Sequence, residues 1–274
     1  MGINVLSCFD GISCGQLALR KLGVKVDCYY ASEIDKYAIK ITQHNFPNTI
    51  QVGDISKLKS EDFKDIKLLL GGSPCQGFSL AGKRLNFEDP RSKLFFEFVR
   101  LLKEIKPKYF LLENVKMKLE CQDVISEHLG VQPIEINSSL LSAQNRKRLY
   151  WTNIPDVKQP GDKNVLISNI LDSGVACYCE KYGKHINKIE VNKSLCLLAR
   201  DYKSFGNQQM TGVLEVGRQY CRMLSPVEYE RLQTLPDNYS GIVSKTQRYK
   251  ALGNAWTVDV IAHILSYVDM GGLI

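Results

Sequence analysis

No stretch of this 274-residue chain approaches the roughly 20 consecutive apolar residues of a membrane-spanning helix, so neither a transmembrane segment nor a membrane partner is expected. The nine cysteines are odd in number, scatter from Cys8 to Cys221 and lack disulfide-framework spacing, which excludes a cystine-stapled secreted scaffold. With neither a basic n-region nor an apolar h-region at the start, the expected compartment is reducing and intracellular, and the expected protein soluble. Cys177-x-Cys179, with His185 and Cys196 downstream, lacks the spacing of a zinc pair and no second tight pair follows, so no metal is expected and the thiols should be reduced. There is no internal repeat, no low-complexity tract and no G-x-G-x-x-G. What is present is ordinary globular composition, 44% apolar and 24% charged, enough for one large domain and a small appended one. The formal charge of +7 favours a polyanionic partner, although it also suits any mildly basic soluble protein.

Ile3–Cys8 is a short β-favouring run ending at Phe9-Asp10-Gly11, and Cys14–Leu22 then carries Leu17, Leu19 and Leu22 before Gly23. Strand, glycine-bearing turn and helix recur as Cys28–Ser32 before Asp35–His44, Lys67–Leu70 before Ser92–Ile105, and Tyr109–Leu112 before Asp123–Leu129. Repeated βα units predict an α/β fold: a doubly wound, mostly parallel sheet with helices on both faces. From about Pro155 the rhythm gives way to short polar segments punctuated by Pro160, Gly161, Gly174, Gly183, Gly206, Gly212 and Gly217, which predicts a small irregular second domain. Helix resumes at Ser225-Pro226-Val227-Glu228, an N-cap, a proline at the first helical position and a capping box, and a last helix, Val258–Val268, returns to the first domain. The expected division is 1–155, completed by about 245–274, and 156–244.

Open α/β sheets bind ligands beyond the carboxyl ends of their strands. Five such ends carry chemistry. Ser73-Pro74-Cys75-Gln76 puts a candidate nucleophile after one apolar run, and Glu113-Asn114-Val115 puts a carboxyl group after the next. The turn Phe9–Gly15 offers glycines for close backbone approach and helix N–H groups for a ligand. Glu33, ending the second strand, suits a ribose diol, and Asp54, ending the third, suits an adenine amine. Taken singly, these acids read better as solvated loop residues, and Cys75 as a buried structural thiol; only their joint match reverses that reading.

Taken in order, Phe9-Asp10-Gly11-Ile12, Ala31-Ser32-Glu33, Gly71-Gly72-Ser73-Pro74-Cys75-Gln76-Gly77-Phe78-Ser79, Leu94-Phe95-Phe96-Glu97-Phe98, Glu113-Asn114-Val115, Gln144-x-Arg146-x-Arg148 and Gly253-Asn254-Ala255-Trp256 resemble the motifs of the cytosine-5 DNA methyltransferases, with variants similar to the eukaryotic de novo enzymes and their bacterial and phage relatives. The resemblance spans nearly the whole chain apart from about 156–221. It implies an S-adenosylmethionine-dependent, Rossmann-like methyltransferase releasing S-adenosylhomocysteine. The cofactor would be held by Phe9, Asp10, Gly11, Ile12, Gly15, Glu33, Ile34, Asp54, Ile55, Pro74, Leu94, Asn254 and Trp256. Cys75 would add to cytosine C6, Glu113 would bond the N3/N4 edge, Arg146 would contact the flipped cytosine, and Arg148 would support the site. C6 cannot be attacked inside a stacked duplex, so the base must leave it. Ser79, Lys83, Arg84 and Arg91 would meet DNA from a closing loop, 79–92, joined by Gln76 of the catalytic motif, by Gln144 and by Arg200 and Lys203 of the recognition segment.

Duplex DNA is therefore the expected partner and DNA methylation the expected activity. A tRNA cytosine-5 methyltransferase shares these motifs, but the Cys-Phe-Thr signature of that branch is missing. A catalytically silent DNA-binding or regulatory homologue is countered by the presence of Cys75, Glu113, Arg146 and both cofactor acids. The resemblance also implies a bacterial or phage gene, a cytoplasmic protein, and room for a homodimer and for a companion restriction endonuclease in a restriction-modification pair.

Overall fold

A computed structural model describes residues 2–73, 90–203, 205 and 208–269, with the side chains of residues 90–92 outside that description. The described chain divides into two compact units: Met1–Ile136, Lys147–Lys158 and Ala262–Ile274 form the first, and Asn137–Arg146 with Gln159–Ile261 the second. Two segments fall differently from the expected 1–155 and 156–244 division. Asn137–Arg146 and the stretch from 245 to Ile261 both lie in the second unit.

The first unit is built on a seven-stranded sheet of order β3-β2-β1-β4-β5-β7-β6. Its strands are β1 (Ile3–Cys8), β2 (Val26–Ser32), β3 (Ile50–Gln51), β4 (Ile66–Gly71), β5 (Tyr109–Val115), β6 (Ile134–Asn137) and β7 (Lys147–Thr152). β1 pairs in parallel with both β2 and β4, and β4 with β5, whereas β7 runs antiparallel to β5. The expected α/β, mostly parallel architecture is the one observed. Strands buried on both faces explain the near-continuous apolar runs. Leu6, Cys8, Leu69, Phe110 and Leu112 pack on one face with Phe95 and Phe98 of α3 (Pro90–Ile105) and Ile125 of α4 (Leu119–Leu129), while Val5, Leu68 and Leu111, facing the other way by the two-residue period, are buried as well.

Local chemistry sets the ends of these elements. Helix α1 (Cys14–Lys21) stops at Leu22, where Gly23 takes φ +69°, and α2 (Lys36–Asn45) is capped by Asp35, whose carboxylate accepts from the N–H groups of Tyr37 and Ala38 at 2.7 and 3.3 Å. The third strand is only two residues long; beyond it Val52 N–H still donates to Ala31 O at 2.9 Å, and Gly53, at φ +76°, accepts from Ser32 Oγ at 2.7 Å. Gly71 is required by packing: a Cβ there would lie 2.6 Å from the ring of Phe98.

The second unit is more regular than expected. It holds a four-stranded antiparallel sheet, β11-β10-β8-β9, made of β8 (Val175–Glu180), β9 (His185–Ile189), β10 (Met210–Leu214) and β11 (Arg222–Met223). Its core is Cys177, Cys179, Cys221 and Phe205, so the apolar alternation is written in cysteine and escapes a search for aliphatic residues. Burial pushes these three thiols up to about 11, which keeps them protonated. Helix α5 (Pro226–Leu232) starts at the expected capping box, with Glu228 N–H donating to Ser225 Oγ at 3.2 Å and Ser225 N–H to Glu228 Oε2 at 2.6 Å. The sequence patterning did not indicate α6 (Lys245–Asn254), and α7 (Val258–Leu265) ends three residues before Val268. No helix among the described residues is long and apolar enough to cross a membrane.

Candidate active site

In the first unit the sheet changes winding direction at β1, whose neighbours β2 and β4 continue the sheet on opposite sides, so the crevice beyond Cys8 and Gly71 is the topological switch point where such sheets bind ligands. The turn leaving β1 there alternates through the left-handed region at Phe9, Gly11 and Ser13, with φ of +57°, +60° and +58°. Alternation of this kind turns successive backbone N–H groups to one side, a cradle for negative charge. Asp10 holds the turn: its carboxylate accepts from the Ser13 hydroxyl and, at 2.8 Å, from the Tyr29 hydroxyl. Burial raises the Asp10 carboxyl above its usual range, partly offset by those hydroxyls. The expected cofactor residue Asp10 therefore shapes the cradle from behind, and Ile12, 2% exposed, packs into the core. Gly15 is buried in the first turn of α1.

Glu33 stands at the end of β2 and is organised by backbone donors. Its Oε2 accepts from Gly11 N–H at 2.8 Å, and its Oε1 from Ile34 and Asp35 N–H at 2.7 and 2.8 Å. Ile34 beside it is 75% exposed. Asp54 caps the short turn Ile55–Lys57, accepting from Ser56 N–H at 3.0 Å and Ser56 Oγ at 2.9 Å; these bonds hold its carboxyl below the usual range while it faces solvent. Ile55 and Leu94 both turn into the hydrophobic core, which leaves Ile55 only its backbone for a ligand.

Glu113, 8% exposed, lies in β5 two residues before its last residue, Val115. In the antiparallel register Glu113 faces Tyr150, and Arg148, two residues along β7, lies diagonally across on the same face. Arg148 Nε stands 3.0 Å from Glu113 Oε1. The next residue, Asn114, is buried and donates to the carbonyl and hydroxyl of Ser73 at 3.3 and 3.1 Å, so it fixes the end of β4 immediately before Pro74 and Cys75. Asn114 belongs to the quoted motif, yet its anchoring role cannot be read from spacing. Pro74, Cys75, Gln76, Ser79, Lys83 and Arg84 lie outside the described residues, as does the side chain of Arg91, whose backbone belongs to α3.

In the second unit two expected contacts take other roles. Gln144 was expected at DNA, but its side chain is fully buried: Nε2 donates to Leu232 O at 3.3 Å and to Gln233 Oε1 at 3.2 Å, while Oε1 accepts from Leu197 N–H at 3.0 Å. Arg146 was expected at the cytosine, but its guanidinium, 4% exposed, donates to the carbonyls of Leu197 at 3.0 Å, Gly253 at 3.3 Å and Ala255 at 3.0 Å and to Cys196 Sγ at 3.4 Å. A guanidinium turned toward that many acceptors is a structural clamp. The loop it closes is tied at its neck, where Ser138 N–H and Oγ both donate to Arg146 O at 3.0 Å, and inside by Lys193, whose ammonium donates to Ser139, Ser142 and Val165 carbonyls at 2.6, 3.1 and 2.8 Å. No sequence signal announces Lys193. Asn254, Arg200 and Lys203 are exposed, and Trp256 is half-buried.

A profile of the C-5 cytosine-specific DNA methylases matches residues 3–154 and 132–269. The chain belongs to that family. It is 34% identical over 304 residues to the type II methyltransferase M1.ScrFI of Lactococcus lactis subsp. cremoris, covering 94% of this chain and 76% of that protein. It is 42% identical over 165 residues to the orphan methyltransferase M.SPRI of Bacillus phage SPR, covering 56% of this chain and 38% of the phage protein. The family member thus spans three quarters of one curated relative but less than half of the other. In fold it is similar to the Entamoeba histolytica methyltransferase EhMeth, with a TM-score of 0.79 at 19% identity over 97% of this chain and 98% of that one. The family assignment and the methyltransferase fold expected from the motifs both hold.

Proposed function

We propose that this methylase transfers a methyl group from S-adenosylmethionine to C5 of cytosine in duplex DNA. The observation that carries the reading is the Glu113–Arg148 pair, at 3.0 Å and almost buried, beside a strand end that Asn114 fixes one residue before Pro74-Cys75. A carboxyl group and a guanidinium held together in a dry site recognise a base edge that presents both a donor and acceptors, which the N4/N3/O2 edge of cytosine does.

The fit to the cofactor rests on the first unit's own residues. The left-handed turn Phe9–Ser13 leaves open space at Gly11 for close approach and orients Glu33 through Gly11 N–H, Glu33 offers a carboxylate with lone pairs left for ribose hydroxyls, Ile34 an exposed apolar surface for a flat ring, and Asp54 a solvent-facing acceptor for an amine. When bound, S-adenosylmethionine supplies an electrophilic methyl group.

Cytosine C5 is a weak nucleophile until the ring is activated. The Cys75 thiolate adds to C6, and the displaced electron pair moves into the ring as an enamine. Glu113 stabilises that form at N3/N4, and Arg148, the arginine beside the carboxylate, faces O2. With the cofactor bound, C5 would take its methyl group as the methyl–sulfur bond breaks and S-adenosylhomocysteine leaves; loss of the C5 proton to a base then returns the electron pair and expels the Cys75 thiolate. Each step requires the cytosine outside the helix.

Duplex DNA of mixed sequence bearing 5-fluorocytosine, incubated with protein and S-adenosylmethionine, tests this by denaturing electrophoresis. Fluorine at C5 cannot leave as a proton does, so a covalent adduct is expected that depends on cofactor and disappears with Cys75→Ser. Absence of an adduct on DNA, with an adduct on fluorocytosine-substituted tRNA or with none on either, overturns the reading.

A further inference from the structure

The second unit contains a cavity of about 200 Å³ that none of the chemistry above uses. Its deep part is polar and tightly held. Thr211 and Asp201 are both 5% exposed; Thr211 Oγ1 accepts from Leu195 N–H at 2.8 Å, and Asp201 Oδ2 accepts from Leu198 N–H at 2.8 Å and Tyr229 OH at 3.2 Å. Its walls are apolar, with Met210 and Leu224 among them. At the mouth stand Arg200, Gln208 and Gln209, all exposed, and Leu198, 41% exposed. The walls are prebuilt. Gly253 of α6 abuts the Leu198–Ala199 backbone so closely that a Cβ would fall 2.3 Å from Leu198 C, and Arg146 holds Leu197 O at 3.0 Å.

Shape selects the occupant. Base edges inside a duplex are recessed in a groove and are reached by protruding helices or ribbons, not by hollows. A concave site with apolar walls, a hydrogen-bonding floor and a basic mouth suits a single base standing out of the stack, read on its Watson–Crick edge while its phosphates meet cations. The methylated cytosine is provided for elsewhere, because Glu113 and Arg148 belong to the first unit and neither lines this cavity.

We propose that this cavity receives a second, unmethylated base of the target site, unstacked from the duplex, and that Asp201 and Thr211 select an amino-bearing base over thymine while Gln208 and Gln209 add discrimination at the mouth. This rests on the DNA-methylation reading above. A site reading one base through such contacts discriminates by roughly 5- to 150-fold.

The test begins with wild-type protein on a random-sequence duplex library, mapping methylated cytosines by bisulfite sequencing. 2-Aminopurine or pyrrolocytosine is then placed at each non-target position of the resulting site. Fluorescence is expected to rise at one such position on binding. The Leu198→Trp variant, which fills the mouth from an exposed position, should abolish that rise and flatten the sequence preference there by the same 5- to 150-fold, with the methylated cytosine unchanged. If that variant fails to fold by circular dichroism, the Gln208→Ala/Gln209→Ala pair carries the comparison. Quenched fluorescence at every non-target position, or an unchanged methylation motif in the folded variant, overturns the proposal while leaving cytosine methylation standing. A wild-type protein that methylates no cytosine in the library overturns the reading beneath it.

Discussion

Arg148→Met removes one half of the charge pair on which the proposed chemistry is built, and the structure sets the size of the effect. The side chains of Arg148 and Glu113 are 12% and 11% exposed, with Nε and Oε1 3.0 Å apart. Stranding one partner of a buried pair costs about 3–5 kcal/mol, and the residual exposure here favours the lower end, about 3 kcal/mol. For a unit of 150–250 residues that corresponds to a fall in melting temperature of roughly 6–12 °C. Glu113→Gln keeps the shape and an acceptor oxygen and should cost about 1–2 kcal/mol. The double variant leaves neither charge stranded, so it should be less destabilised than the two singles combined, with a coupling of about 2 kcal/mol. Denaturant titration of the four proteins reads this directly. Each single variant should also lose about 10²- to 10³-fold in methyl transfer, the usual effect of removing one charge-stabilising group from an active site. Singles that add within about 0.5 kcal/mol would show that the pair is not formed, and the recognition of the cytosine edge built on it would fall.

Further expectations concern the second unit and the cradle. The Cys177, Cys179 and Cys221 thiols, near 11 when folded against an ordinary 9.0, keep their protons while an unfolded chain would release them; folding stability should therefore be full below pH 9 and fall as pH rises toward 11, with a shallower slope in Cys179→Ala, measured as melting temperature against pH. Asp10, raised by burial, has the same sign in acid: stability should decline as pH rises through and above the ordinary carboxylate range, and Asp10→Asn should flatten that limb. Lys193→Met leaves three carbonyls without their ammonium and should cost about 3 kcal/mol, partly recovered by Lys193→Arg, with chemical denaturation as the readout.

The parallel part of the fold was legible because its central strands β1, β4 and β5 are buried on both faces and its helices carry their own punctuation. Ile3–Cys8 matched to the residue, Asp35 capped α2, and the Ser225–Glu228 box began α5. The second unit was not legible for a physical reason. Cysteines fill its core, exposed residues dominate β9, and Gly212, which reads as loop punctuation, lies inside β10, where a side chain would meet Cys179 Sγ at 2.7 Å. The acids near the strand ends were legible as positions, since Glu33 and Asp54 stand beyond carboxyl ends and Glu113 lies two residues before the end of β5. Their partners were not, because hydrogen bonds such as Gly11 to Glu33 and Asn114 to Ser73 join residues 22 and 41 apart.

The two arginines of Gln144-x-Arg146-x-Arg148 show how far spacing can go. Two residues apart on an extended segment, they share a face, and spacing alone gives no reason to prefer one over the other at a base. The chain breaks that equivalence between them. Arg146 is the last residue of a loop whose neck bonds at Ser138 hold its backbone, and its guanidinium faces the carbonyls of Leu197, Gly253 and Ala255. Arg148 is the second residue of β7, and antiparallel register with β5 brings it diagonally against Glu113. The clamp and the contact are thus assigned by where the strand begins. Lysine at 146 would leave carbonyls unmet and should act on folding first, whereas lysine at 148 keeps the charge but not the planar fork and should act on turnover first. A change in melting temperature without loss of turnover at 148, or the reverse at 146, would exchange the two roles.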